Sequence, residues 1–210
     1  MVPLPTGLAF ALVALGIVLT PGPNMLYLVS RSLCQGRAAG LVSLAGVGTG
    51  LTTYMLLAAF GITGLVLRAP GVYDVLRVAG AVYLAWLGWR AIRPGGGSAF
   101  ETRDLPPAGP GKLYTMGLVT CLLNPKVAVI YLTLLPQFVN PKLGHVMGQT
   151  ITLGSIQVCI AVTGNGVFVL IADKLRHFLQ TRPLWARAQR YLMGSVLIAL
   201  AVRLMLERRA

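Results

Sequence analysis

Apolar and polar residues in this chain are gathered into blocks. Six apolar runs stand out: roughly Gly7 to Ser30, Ala38 to Leu67, Val72 to Ile92, Leu113 to Val139, Val146 to Ala172 and Tyr191 to Leu206. About 20 apolar residues carry a helix across about 30 Å of hydrocarbon, and these runs are of that order. In lipid only helices and closed barrels satisfy every backbone N–H and C=O. The runs are continuous and do not alternate with period two, so helices are predicted. The fold expected is all-α integral membrane: six transmembrane helices within a single domain spanning residues 1–210. The first run has no basic segment before it and continues past Pro21-Gly22-Pro23, so it reads as a retained span and not a signal peptide.

Polar and small residues then divide the pattern in two. Residues 93–112 hold Gly95-Gly96-Gly97 and Pro106-Pro107 among several charges, and read as a flexible linker. The halves, about 1–92 and 113–210, share a punctuation. Pro21 and Pro125 interrupt the first and fourth runs 104 residues apart. Gly40 and Gly148 lie 108 apart in the second and fifth, each followed six residues on by another glycine, Gly46 and Gly154. Gly80 and Gly194 lie 114 apart in the third and sixth. Three helices per half is an odd number, so the second half enters the membrane from the opposite side. Two inverted three-helix repeats are therefore predicted. Interrupted helices at matching positions of two such halves point to a transporter binding site.

Composition rules out other classes. Hydrophobic residues make up 56% of the chain and charged ones 11%, with mean hydropathy +0.75. A soluble domain is typically about 25% charged, and so few charges would not cover its surface. Disorder is excluded by the same hydrophobicity. The net charge of +13 would ordinarily suggest nucleic acid, but no nucleic-acid partner is needed if the cations cap membrane spans. Connections one, three and five carry 11 Lys and Arg, Arg31 and Arg37 among them, against 6 on the opposite face. Positive-inside then places those connections in the cytoplasm and both termini outside.

The chemistry concentrates at the two interruptions. In Thr20-Pro21-Gly22-Pro23-Asn24, the two prolines lack N–H groups and free the carbonyls of Ile17 and Leu19. Each also drives its preceding residue away from the helical region. A half-helix restarting at Pro23 would present N–H groups and a positive dipole end to an anion such as a carboxylate, with Asn24 beside it. Asn124-Pro125-Lys126 is the counterpart, with Pro125 freeing the carbonyl of Cys121. Lys126 lies near the middle of its run, where a charge costs roughly 2.5–3.5 kcal/mol on insertion scales. An inward-facing Lys126 could bind a substrate carboxylate or exchange protons. The candidate substrate-binding residues are Thr20, Pro21, Gly22, Pro23, Asn24, Asn124, Pro125 and Lys126; no catalytic residue, metal ligand or cofactor site is expected.

Other polar positions carry less. Asp74 and Arg77 can pair along one helical face. Gln157, Asn165, Tyr54 and Tyr131 fit packing roles, and Trp86 and Trp89 read as interface anchors. Gly46-x-x-x-Gly50 and Gly144-x-x-x-Gly148 allow close helix approach and leave a homodimer open without specifying one. A metal-ion exporter would need clustered His, Cys or carboxylates, whereas His145 and His177 stand apart. An intramembrane thiol redox enzyme would pair Cys121 with the matching position 104 residues earlier, which is Ile17.

These motifs together resemble the LysE/RhtB family of amino-acid exporters. The resemblance is carried by Thr20 to Asn24, the glycines from Gly40 to Gly50, Val78-Ala79-Gly80 through Gly88, Asn124-Pro125-Lys126 and Leu134-Leu135-Pro136-Gln137-Phe138-Val139, in order over nearly the whole chain. It implies six helices, a bacterial inner-membrane location and efflux of an amino acid or derivative by proton antiport. Many members of that family carry an acidic residue after the glycine run of the second helix. Here Gly50 is followed by Leu51. The resemblance then implies a neutral substrate, with hydroxylated and leucine-like side chains both open.

Overall fold

The computed structural model describes residues 2–20, 22–68, 106–172 and 174, with single positions between 78 and 93 and between 191 and 205. For residues 62–68 and 125 the backbone alone is described. Most of the third and sixth runs, the residues 94–105 of the linker, Asp74, Arg77, Gly80, His177 and Gly194 lie outside the described residues, as does Pro21.

All regular structure among the described residues is helical. The first run is two helices, α1 (Leu4–Leu19) and α2 (Pro23–Gln35). The second is one long helix, α3 (Arg37–Arg68). The fourth is α4 (Pro110–Leu122), followed by the short α5 (Pro125–Val129), a π-helical turn over Ile130–Leu134 and a 3₁₀ turn over Leu135–Phe138. The fifth is α6 (Val146–Leu170). Helix α4 begins three residues before the expected edge of the linker, with Pro110 in its first turn, where a missing N–H costs nothing. Gly36, at φ 89°, ends α2 in a conformation that only glycine adopts freely.

Helices α3 and α6 are each long and apolar enough to cross a membrane, over Arg37–Gly61 and Val146–Leu170. The pair α1 and α2 is long and apolar enough for one broken span or a re-entrant loop, and so is Pro110–Leu122 with Lys126–Phe138. Both pairs bend by 53°. The polarity of the fold is that of a lipid-facing bundle. Leu4, Leu8, Leu12, Leu15 and Leu19 form an outward stripe along α1, Leu12 being 72% exposed, while Phe10, Ala14 and Ile17 face in. The buried set includes Asn24, Lys126, Gln149, Gln157 and Asn165. Polar groups inside and leucines outside is the arrangement that hydrocarbon selects.

The core is held by close backbone approach. A Cβ on Gly46 would run into the Tyr114 carbonyl, and one on Gly117 into the Ser43 carbonyl, so α3 and α4 cross backbone to backbone. Gly50 makes room for the Cys121 side chain, whose Cβ would lie 2.7 Å from a Cβ added there. The Gly46-x-x-x-Gly50 spacing is thus used within the chain. Gly144-x-x-x-Gly148 is not a packing face: Gly144 sits in a turn at φ 68°, and a Cβ on Gly148 would meet only His145, at 4.0 Å. Helix α6 is locked to α2 by the Ser32 hydroxyl, which donates to the Val169 carbonyl at 2.7 Å.

Arg31 departs from its expected role as a solvated loop cation. It is 2% exposed, with Nη1 donating to the Pro106 carbonyl at 2.9 Å and its guanidinium 5.8 Å from the Tyr27 ring centroid. Gln35 holds the neighbouring Ala108 through both backbone groups, at 2.7 and 3.0 Å. The end of the linker is strapped onto α2, and that buries the arginine.

Candidate functional site

The site is built from two helix breaks of the same design. At Thr20 the backbone is extended, with φ −75° and ψ 125°, as the residue before a proline must be. Its N–H turns back to the Ile17 carbonyl at 3.1 Å, and its hydroxyl donates to the Gly16 carbonyl at 3.0 Å. At Asn124, 104 residues on, φ is −82° and ψ 106°, and the N–H turns back to the Cys121 carbonyl at 3.1 Å. Of the three carbonyls expected to lose their helical partners to proline, those of Ile17 and Cys121 recover one by this tighter turn. Gly22 is also extended, and α2 restarts with Pro23 as its first residue. Asn124 caps α5, its Oδ1 accepting the Lys126 N–H at 3.0 Å. With that N–H engaged, the Leu122 carbonyl accepts from the Tyr54 hydroxyl of α3 at 2.8 Å.

Lys126 joins the two breaks. Its side chain is 8% exposed, and Nζ donates to the carbonyls of Ile17 and Thr20, both at 2.7 Å. A buried ammonium needs such partners. These two sit at the C-terminal end of α1, where the helix dipole favours a cation. The five acidic residues of the chain are Asp74, Glu101, Asp104, Asp173 and Glu207, so neither broken span contains a carboxylate to pair with it. The lysine runs past Gly22, where a Cβ would lie 3.3 Å from its Cδ and 3.4 Å from Nζ.

A small polar cluster adjoins this bridge. Asn24 is 8% exposed, lies beside the Cys121 thiol, and its Oδ1 has no hydrogen-bond partner. Tyr131 is fully buried in the π-helical turn, stacked on Tyr54 with centroids 5.8 Å apart, and its hydroxyl is also without a partner. A separate cavity of about 210 Å³ opens elsewhere, beside Thr6, Gln137, Asn140, Leu143 and Gln149. Among the described residues, no three His, Cys, Asp or Glu side chains come together, and Cys121 and Cys159 are free thiols.

A sequence model of LysE type translocators matches residues 15–208, which takes in both breaks and the lysine between them. The chain belongs to the LysE type translocator family. Leucine efflux proteins of Salmonella choleraesuis and Salmonella typhimurium are each 27% identical to this translocator over 195 residues, covering 91% of it and 90% of their own length. A Bacillus subtilis relative named uncharacterized membrane protein YrhP is 25% identical over 206 residues, covering 93% and 96%. No solved structure matches the chain. With its membrane-length helices, this is a multi-pass membrane protein.

Of the residues singled out in the sequence, the fold brings Thr20, Gly22 and Lys126 into direct proximity, with Pro23, Asn24, Asn124 and Pro125 in the adjoining turns; Pro21 lies outside the described residues. In the sequence Ile17 stands out as a carbonyl losing its partner and as the position matching Cys121, yet it is one of the two ligands of Lys126. Its contribution is a backbone oxygen, which the residue type does not signal. Tyr54 and Tyr131 read as packing residues; the free hydroxyl of one and the capping hydroxyl of the other place them at the edge of the site.

Proposed function

We propose that this translocator exports a neutral amino acid across the bacterial inner membrane by alternating access. The observation that carries the reading is Lys126, a buried cation in mid-span that bridges the two helix breaks and whose ammonium has, among the described residues, two carbonyls for partners. The restarted helix at Pro23 and Asn24 offers amide donors for a carboxylate, and Lys126 the countercharge. The neutral substrate is supported by Leu51, buried in α3 where many relatives are acidic, and by the absence of acidic residues from the sequence of both broken spans. The leucine efflux relatives point the same way.

In this reading the moving units are the two inverted halves, about 1–92 and 113–210, joined by the linker. The equal 53° bends and the matched turns at Thr20 and Asn124 support that pairing. Export is driven by the proton gradient as antiport, with Lys126 as the titratable group placed to couple it. The chain acts as a transporter and not an enzyme, with the lipid bilayer, the amino acid and protons as its partners.

The test is export from bacteria fed a panel of dipeptides, with amino acids measured in the medium. Cells carrying the protein are expected to release at least one neutral amino acid faster than cells carrying empty vector, and Lys126→Ala is expected to abolish that release at unchanged membrane abundance. No substrate-dependent rise with the native chain refutes export; full activity in Lys126→Ala refutes the role given to the lysine.

A further inference from the structure

Lys126 crosses between the two broken spans to reach two backbone carbonyls at the end of α1. We infer that the carbonyls of Ile17 and Thr20 form a subsite for the α-ammonium group of the transported amino acid, which Lys126 fills with its own ammonium while no substrate is bound. The inference rests on the export reading and adds to it a subsite and the chemical group it takes.

The geometry of the carbonyl pair comes first. Both oxygens stand 2.7 Å from Nζ, the length of a charge-assisted hydrogen bond, so the pair already fits a primary alkylammonium. An amino acid carries the same group on its α-carbon. The pair also lies at the negative end of the α1 dipole, and unwound carbonyls at half-helix C-termini are the usual cation ligands of transporters with broken helices.

The opposite charge is provided for on the other side of the same break. Helix α2 is 13 residues long and opens at Pro23, with its first N–H groups and positive dipole end there. Asn24, in that first turn, is buried, and its amide oxygen, an acceptor with no partner, is available to the ammonium and not to the carboxylate, which has the backbone N–H groups. One interruption thus presents carbonyls for a cation and amides for an anion, the complement of a zwitterion.

Gly22 supplies the space. Its missing side chain is where Lys126 passes, with Cδ 3.3 Å and Nζ 3.4 Å from where a Cβ would stand. The lysine therefore lies between the half-helices, in the volume a substrate must occupy. On substrate entry its ammonium leaves the carbonyls for the substrate carboxylate, and the α-ammonium replaces it there. The exchange is cation for cation, and Lys126 gains a carboxylate partner that neither broken span contains. Substrates must then carry a free α-ammonium, whatever their side chain.

The test has two arms. In the first, the purified protein in nanodiscs is titrated with the proteinogenic amino acids by calorimetry, and the tightest binder is compared with its 2-hydroxy acid. Replacing the ammonium by a hydroxyl is expected to weaken binding by about 100-fold or more, since polar groups built to meet it are left unpaired. Equal affinities overturn the inference. In the second arm, n-propylammonium chloride is added to the native chain, to Lys126→Ala and to Lys126→Met, the last guarding against a poorly folded alanine variant. The thermal midpoint is expected to rise in the variants, whose subsite is vacant, and not in the native chain. No rise in either variant, or an equal rise in the native chain, overturns it. If no amino acid binds the native chain but propylammonium still stabilises the variants, the export reading fails and the ammonium subsite stands. Amino-acid binding indifferent to the α-ammonium does the reverse.

Discussion

At the scale of single residues, the coupling between Gly22 and Lys126 can be measured. Gly22 has φ −157°, which any residue adopts, so alanine there meets no backbone penalty. What it meets is the lysine, which must give by a few tenths of an ångström. Gly22→Ala is expected to slow export several-fold and to cost about 1 kcal/mol of stability, at the low end for overpacking. In a Lys126→Ala background the same change should cost almost nothing. A double-mutant cycle on thermal midpoints of the purified protein reads the difference, and an unchanged cost in that background would show that the two side chains do not press on each other. Lys126 was legible in the sequence because one charge in a 27-residue apolar run (113–139) is an anomaly that physics penalises. Of its two ligands, the Ile17 carbonyl was legible as one freed by proline, and the Thr20 carbonyl was not. A sequence says where proline removes a donor, but which cation arrives at the orphaned oxygen depends on a residue 109 positions away.

At the scale of the helix, the α3–α4 crossing is the rigid seam of the described bundle. Gly46 and Gly117 face each other's backbone across it, with Tyr114 and Ser43 carbonyls where their side chains would be. Gly46→Leu and Gly117→Leu are each expected to destabilise the protein by about 3 kcal/mol, the upper part of the usual overpacking range, and to deplete it from the membrane. Gly61→Ala and Gly111→Ala, with nothing within 4 Å of the added atom, should leave abundance unchanged. Immunoblots of membrane fractions separate the cases, and a well-expressed Gly46→Leu would mean the helices do not cross as described. The runs and breaks were legible here, since length, continuity and proline leave little choice of element. The use of each glycine was not. Gly46 and Gly144 open the same four-residue spacing, yet one packs a helix and the other forms a turn, because only Gly46 lies inside a helix. Arg31 is a similar case: its burial depends on Pro106, 75 residues later, folding back over α2.

At the scale of the whole molecule, the expected inverted arrangement fixes which loops share a side, and α4 with its continuation to Phe138 provides a sharp test. Gly109 caps the start of that broken span, and Lys142 lies just past its end. If the span crosses once, the two positions face opposite compartments, and the excess of basic residues in connections one, three and five puts Gly109 in the cytoplasm and Lys142 outside. Both positions are exposed, and Gly109 has φ −67° with no atom near its missing Cβ, so cysteine fits at either without strain. Cys34 and Cys159 are exposed and must first be replaced by serine; Cys121 is buried and can stay. In intact cells an impermeant maleimide is expected to label Lys142→Cys and not Gly109→Cys, with the pattern reversed in inside-out vesicles. Labelling of both from one side would show that 110–138 is a re-entrant hairpin and dissolve the three-plus-three count. The opposite pattern would keep the count and invert the molecule, placing the cavity beside Asn140 and Gln149 on the cytoplasmic side.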